Sequence, residues 1–484
     1  MNTQDSNKSS PTIEADTEVP AEKPYGSGSD EPLQPRQEQD EHQPQDPDID
    51  GGYAWVICFA CLLLNFNIWG GNSGFAVYFS TYLSQNTFEG ATKMDFAYIG
   101  GLAIGVGFLF APVINALLGL IGFRGVLIVG NCLQFTSLML ASWSTKLWQL
   151  YLTQGLMQSF GLAFLAIPAS TIIPQYFKKK RVLAGGIATA GSGLGGIVYN
   201  LAMQKVVDTR GVHWALRTQG IMEFGMVWIA IALVRSKAKQ HSIEFKLVDH
   251  KVLRTAPFWL LSFFIVTCMF GYVIVLYTLA NFTTSLGYSG KEGSYVAAMV
   301  QVGSAVGRPT VGYISDRFGG ITVAAAGYYI VGIFCLAMWI PARNLATIII
   351  FGLISGSMMG AVYGMIAPAI SRSFGLLKMN VVASKVYILL GVSGLFSPVI
   401  GVALIKGEAV GVDPTRYVYC SVFTGVSFVV CASTLLVLRG YIKARDHLME
   451  KDGHTDSDLA DYTGVTVPFT LVFANIFAKS NEKV

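Results

Sequence analysis

Twelve apolar stretches, each near the ~20 residues that a helix needs to cross hydrocarbon, follow one another from residue 53 onward. No other feature of the chain constrains its fold as strongly. A backbone in lipid must satisfy its own N–H and C=O groups, which leaves only helices or a closed barrel, and continuous apolar runs of this length are helical. The stretches cover 53–82, 98–120, 125–143, 147–174, 183–204 and 214–234, then 257–286, 294–314, 321–340, 345–371, 381–405 and 417–438. A polar connection at 235–256, rich in Lys and Arg, divides them six and six. Hydrophobic residues make up 52% and charged residues 13%, against roughly 25% charged in soluble domains. The 7 cysteines all lie in apolar runs, where they read as small packing residues and not as a disulfide framework or a metal site.

The overall charge of +4 conceals regions of different character. Residues 1–50 carry 13 acidic and 3 basic side chains and 7 of the 17 prolines, and are expected to be a disordered tail. No apolar run in that tail resembles a signal peptide, so the first membrane helix is expected to act as its own insertion signal. Residues 51–439 carry 10 acidic and 26 basic side chains. Nucleic-acid binding is not implied, because these charges sit between membrane segments. With both ends cytoplasmic, 16 of the 26 fall in inside loops, 9 outside and Arg308 within the membrane, as the positive-inside rule requires. The organisation expected is an acidic tail (1–50), a six-helix half (51–234), a basic linker (235–256), a second half (257–439) and a cytoplasmic tail (440–484). The apolar run 464–478 is too short for a confident span; it either lies along the membrane surface or stays disordered.

Two segments are more specific. The first, Asp50-Gly51-Gly52-Tyr53-Ala54-Trp55, opens helix 1; Asp50 is placed to cap that helix, and Tyr53 and Trp55 suit the interfacial belt. The second begins Tyr176-Phe177-Lys178-Lys179-Lys180-Arg181-Val182-Leu183-Ala184-Gly185 and runs through Gly191 to Gly195. It joins an aromatic exit, a basic turn and a glycine-lined helix. Together they resemble the paired signatures of the monocarboxylate transporter family of the major facilitator superfamily. The resemblance spans residues 50–439, and the acidic head and short central loop look most like the fungal monocarboxylate-permease homologues. It implies an all-α membrane fold of twelve helices in two six-helix halves, working by alternating access.

A third motif, Gly312-Tyr313-Ile314-Ser315-Asp316-Arg317-Phe318-Gly319, is similar to the superfamily's cytoplasmic loop motif. Asp316 and Arg317 are the expected gate residues, holding one closed arrangement and releasing in the other. The counterpart after helix 2, Gly119 to Arg124, lacks the Asp.

Ionisable groups inside the membrane are functional candidates by default. Arg308 lies mid-helix in an Arg-Pro context where the resemblance implies an arginine holding the substrate carboxylate, a task that suits its two-pronged guanidinium. Family members that carry monocarboxylates pair this arginine with an aspartate one turn earlier, where this chain has Ser304, and carry a helix 1 lysine at the position of Ser73. Both departures put lactate-type proton symport in doubt. Glu223 in helix 6 is either a replacement proton site or a hydrogen-bonded structural group. Lys385 is expected to face the headgroups. Asn65, Asn67 and Asn72 on helix 1, Gln154 and Gln158 on helix 4, Tyr277 and Asn281 on helix 7 and Tyr363 on helix 10 are expected to line a pocket, although such amides also serve as glue between helices. Glycines at 100, 101, 105 and 107 and at 191, 195 and 196 fit close helix packing.

No phosphate-binding loop, zinc motif or clustered nucleophile occurs, so the chain is expected to be neither an enzyme nor an ATP-driven pump. The expected partners are a small-molecule substrate and the lipid bilayer, with the plasma membrane as location and a monomer as the working unit; an accessory protein is neither required nor excluded. No cofactor is expected, and a substrate or a proton gradient would supply the energy. The expected cargo is a small organic anion. The rivals are a carrier of a neutral or larger polar solute, such as a polyol or riboflavin, and a non-transporting sensor with the same fold.

Overall fold

The computed structural model describes residues 49–85, 87–235, 250–375, 378–406, 412–451, 462, 465 and 467–476. The expectation of disorder for 1–50 therefore lies outside the described residues except at Ile49 and Asp50, as does most of the basic linker. Every regular element among the described residues is helical. The first half contains α1 (Tyr53–Ser73, continued by Phe75–Ser84), α2 (Lys93–Leu109, continued through 111–121), α3 (123–141), α4 (Leu147–Tyr176), α5 (Arg181–Arg210) and α6 (Val212–Leu233). The second contains α7 (Ala256–Ser285), α8 (Gly290–Phe318), α9 (Gly320–Trp339), α10 (Leu345–Phe374), α11 (Met379–Ala403) and α12 (Val418–Lys451). A short helix, α13 (Phe469–Asn475), follows.

Among the described residues, ten helices qualify as membrane spans by length and apolarity alone. The two that fall short are informative. Helix α2 is interrupted at Phe110, and α8 carries Gln301, Ser304 and Arg308 along its middle. Side chains that lower the hydropathy of α8 thus face protein, as polar groups at membrane depth must. Leu120, Leu201, Ile221 and Val306 are among the large apolar side chains left on the outer surface, where lipid would cover them.

The turns α2–α3 and α8–α9 each pivot on one glycine with a positive φ, 73° at Gly122 and 95° at Gly319. A side chain there would be strained, so a hairpin this short needs glycine. Matching turns in corresponding places support two related halves. The most extensive helix contacts are α1 on α5, α8 on α5, α10 on α8 and α11 on α2; two of these four join the halves. Glycine sets the approach distance. A β-carbon at Gly105 of α2 would lie 2.6 Å from the Gly391 carbonyl oxygen of α11, and one at Gly191 of α5 would collide with the Leu62 carbonyl of α1.

Helix α12 continues past its expected end near residue 438. Its 34 residues make about 51 Å of helix, well beyond a hydrocarbon core of about 30 Å. Partners along the extension explain why it stays helical. Arg445, 1% exposed, donates to the carbonyls of Arg372 (3.0 Å) and Ser373 (3.2 Å), which close the end of α10. Asp446 bridges Arg372 at 3.0 Å. The segment carrying α13 lies back along the same face: Tyr441 donates to the Val465 carbonyl at 3.0 Å, Arg439 donates to the Ile476 carbonyl, and the Tyr462 ring covers the Arg445 guanidinium at 4.0 Å. The described part of the 464–478 run is therefore packed against α12.

Candidate functional site

The two sequence signatures, more than 120 residues apart, meet at the N-terminus of α5. Asp50 does not cap its own helix: Gly52 precedes α1 without a side-chain hydrogen bond. Instead the Asp50 carboxylate accepts the backbone N–H groups of Lys178 (3.1 Å), Lys179 (2.9 Å) and Lys180 (3.1 Å), while its own N–H donates to the Tyr176 carbonyl at 3.0 Å. The sequence pointed to the wrong helix because a capping aspartate carries no mark of the distant amides it will reach. Around this knot, Trp55 packs edge-on against Phe177 at 5.1 Å and lies 5.8 Å from the Lys180 ammonium. Arg181 donates to the Phe177 carbonyl at 2.7 Å, and Tyr53 donates to the Leu233 carbonyl at 2.7 Å. Gly51 and Gly52 allow the tight entry, and Gly52 has a φ of 42°.

A second carboxylate reaches the same helix end from the other half. Asp316, at the end of α8, accepts the N–H groups of Val182 (3.1 Å) and Leu183 (2.9 Å). Free amides and the helix dipole make an N-terminus attractive to anions. The first turn of α5 is thus held by Asp50 from within its half and by Asp316 across the interface. Neighbouring Arg317 lies over the Tyr313 ring at 4.4 Å.

Deeper in the interface, Arg308 is 3% exposed. Its guanidinium donates to the Thr189 carbonyl (2.7 Å) and the Ser192 hydroxyl (2.6 Å) of α5, and makes a long 3.4 Å contact with the Tyr272 hydroxyl of α7. Its Nε–H has no acceptor among the described residues, nor has the Ser304 hydroxyl one turn earlier. No acidic side chain is hydrogen-bonded to Arg308 among the described residues. Tyr363 of α10 faces the guanidinium, with 5.7 Å to the ring centroid.

Tyr363 also borders a cavity of about 40 Å³ between the halves, closed in by Asn65, Trp69, Phe108, Ser170, Thr189 and Tyr387 among others. The halves meet on both sides of it. Toward the end that carries Asp50 and Lys451, Tyr387 of α11 donates to the Ser170 hydroxyl of α4 at 2.6 Å, and Asp316 holds α5. Toward the opposite end, α2 and α11 touch along Gly101, Gly105, Gly391 and Leu395. The chain is thus in an occluded arrangement.

Comparison with known proteins accords with this architecture. The family model for the Major Facilitator Superfamily matches residues 57–398 and 269–464, most of the chain. The chain belongs to the major facilitator superfamily. This facilitator is 44% identical over 411 residues to the probable transporter MCH2 of Saccharomyces cerevisiae, covering 84% of this chain and 86% of that one. It is 31% identical over 431 residues to the uncharacterized transporter ESBP6 of the same yeast, covering 85% of this chain but 63% of that longer protein. It is 28% identical over 398 residues to the MFS-type transporter opdF of Penicillium oxalicum, covering 81% and 91%. Relatives that are named transporters, together with twelve helices closed around an interface cavity, make the chain a multi-pass membrane transporter.

Among the residues expected to line the facilitator's pocket, Asn65 and Tyr363 border the cavity, and Arg308, with Ser304 one turn away, lies against the Tyr363 ring without bordering the cavity itself. The others lie elsewhere. The Ser73 hydroxyl turns back to the Gly70 carbonyl at 2.6 Å. Gln158 is buried and Asn72 half-buried, and neither borders the cavity. The Tyr277 hydroxyl abuts Gly100 nearer the opposite end, and Asn281 is exposed. Glu223, 2% exposed, accepts from Gln219 at 2.7 Å and Gln134 at 3.3 Å inside the first half. Gln219 also donates to the Gly71 carbonyl and accepts from Tyr78. Helices α1, α3 and α6 are thereby tied through a carboxylate away from the interface cavity. Lys385, expected at the headgroups, is 8% exposed within α11.

Sequence reasoning missed Trp69, Phe108 and Tyr387, which border the cavity, and Tyr272, which contacts Arg308. One signal was available. Tryptophan in membrane proteins gathers at interfaces, yet Trp69 stands well inside the first apolar run, followed by Gly70 and Gly71.

Proposed function

We propose that this transporter carries small organic monocarboxylates by alternating access, with Arg308 as the group that holds the carboxylate. The observation that carries the reading is the charge state of the interface. A buried guanidinium with donor capacity to spare faces the other half, and no acidic side chain is hydrogen-bonded to it among the described residues. An unbalanced charge at membrane depth is costly. An anionic cargo lowers that cost by supplying the missing charge, and it enters between halves that must part to admit it. Ser304 in place of the aspartate found in the resembling family favours this division of labour, because the site keeps its positive charge for the cargo. Asp316 acts as the latch, and release of the α5 amides accompanies opening toward the end that carries Asp50. The excess of basic residues in the loops at that end favours a cytoplasmic placement for it, and the plasma membrane is the expected location.

The test is counterflow in proteoliposomes holding the purified full-length chain, with labelled carboxylates outside and an excess of unlabelled acid inside. Acids should accumulate transiently, their neutral amides should not, and Arg308→Gln should reduce accumulation to the level of empty liposomes. If Arg308→Gln exchanges acids at the wild-type rate, the proposal is wrong.

A further inference from the structure

Four aromatic rings border the cavity, Trp69, Phe108, Tyr363 and Tyr387, and with Tyr272 they form one connected series. Tyr387 of α11 stacks on Phe108 of α2 at 5.5 Å and 22°. Phe108 stacks on Trp69 of α1 at 6.2 Å and 10°. Trp69 meets Tyr363 of α10 at 4.9 Å and 41°, and Tyr363 meets Tyr272 of α7 edge-on at 5.6 Å. The series ends at Arg308, 5.7 Å from the Tyr363 centroid and in reach of the Tyr272 hydroxyl. Five rings from five helices thus lead to one guanidinium.

Two of these contacts join the halves: Tyr387 with Phe108, and Tyr363 with Trp69. These two contacts close the halves over the cavity, so a cargo held between the rings needs the halves to separate. Separation unstacks both pairs and exposes ring faces that had covered one another. A planar conjugated ring entering the gap restores face contact on both sides, whereas an aliphatic body of the same bulk restores only contact area. Asn65, Ser170, Thr189 and Arg181 are the polar residues that border the space, while Arg308 lies behind the Tyr363 ring.

We infer that the site takes planar aromatic or conjugated carboxylates in preference to aliphatic ones, with Trp69 and Tyr363 holding the ring and Arg308 the carboxylate. This rests on the anion-carrier reading above and adds the class of cargo to it. Trp69 and Tyr363 are then the specificity-determining residues.

Equilibrium binding to the purified full-length chain tests the inference, since passive membrane crossing by a protonated acid cannot imitate it. The probes are benzoate, cyclohexanecarboxylate, which has similar bulk and the same charge but is not flat, lactate, and benzamide, all measured by titration calorimetry. Benzoate should bind about tenfold tighter than cyclohexanecarboxylate, the discrimination expected of two restored ring faces. Trp69→Leu and Tyr363→Leu should each bring that ratio close to one, read on protein that elutes from size exclusion as wild type does. If the two acids bind equally to the wild type and both are lost in Arg308→Gln, the aromatic preference is wrong while the anion-carrier reading stands. If benzamide binds as well as benzoate and Arg308→Gln changes neither, the anion-carrier reading fails, and this inference with it. If no acid binds, both are overturned. A ratio that persists in folded Trp69→Leu and Tyr363→Leu also refutes the inference, and makes the rings a plug between the halves.

Discussion

The Asp316 latch offers a quantitative test. Asp316→Asn keeps one oxygen to accept from the first turn of α5 but presents an NH₂ group where the second oxygen accepted. One of the two N–H groups, on Val182 or Leu183, then loses its acceptor in the occluded arrangement. Leaving such a partly buried donor unmet costs about 1–2 kcal/mol. Losing the negative charge beside the helix N-terminus adds about 0.5 kcal/mol. Together they make about 2 kcal/mol, or about a 30-fold shift from occluded toward open. The assay is maleimide labelling of a cysteine placed at Ala367, which borders the cavity, in a background where the exposed Cys132 is serine. If opening is fast relative to labelling, the rate follows the open population, so Asp316→Asn should label about 30-fold faster with reagent added at the Asp50 end. Asp50→Asn is the control. Asp50 reaches only amides of its own half, so its loss should lower the melting temperature without changing the labelling rate. An unchanged rate in Asp316→Asn, or an equal rise in Asp50→Asn, would refute the latch and reduce Asp316 to an ordinary helix cap.

Other expectations follow from packing and charge. Gly191→Val forces α5 off the Leu62 carbonyl of α1 and should destabilise the first half by about 1–3 kcal/mol, seen as a lower melting temperature in detergent. Glu223→Leu strands the Gln219 and Gln134 amides and should cost about 2 kcal/mol or more, while Glu223→Gln, which keeps an acceptor, should cost clearly less; equal losses would show that the network is not hydrogen-bonded as described. Hydrogen bonds from the Thr415 hydroxyl and N–H, helped by Arg416, hold the Asp413 carboxyl below the usual carboxylate range. Its contribution is therefore present above the unfolded carboxylate pKa and fades as pH falls through the lowered folded value; Asp413→Asn should flatten that part of a melting-temperature profile against pH.

The twelve helices were legible because spanning a bilayer imposes a length and a composition that each segment carries locally. Residues 98–120 and 294–314 were recognisable as spans although α2 is broken and α8 is polar, since what remained was still apolar enough. The end of α12 was not legible. Its continuation depends on Arg445 reaching two carbonyls of α10 and on the strap around Val465 and Ile476, contacts that leave no periodic trace near residue 440. The candidate site divides in the same way. Arg308 and Asp316 stood out because charge at membrane depth, or in a specific turn motif, is rare enough to notice. Phe108 and Tyr387 did not, because an aromatic ring in an apolar run looks the same whether it faces lipid, core or cargo. Tyr277, Asn281 and Ser73 were chosen for polarity and position along the chain, yet the rotation of a helix about its axis decides what a side chain meets, and that rotation is set by neighbours.

The knot formed by Asp50, Trp55, Phe177 and Lys180 bears on how such a protein can be recombined. Residues 50–55 and 176–181 stand more than 120 positions apart in the chain, yet they form one joint. A chimera that takes α1 from one relative and the α4–α5 turn from another should fail where either fragment differs at the joint, and recover when the two are exchanged together. Substitutions at these positions should accordingly be inherited in pairs, with the unit of variation being a contact and not a stretch of sequence.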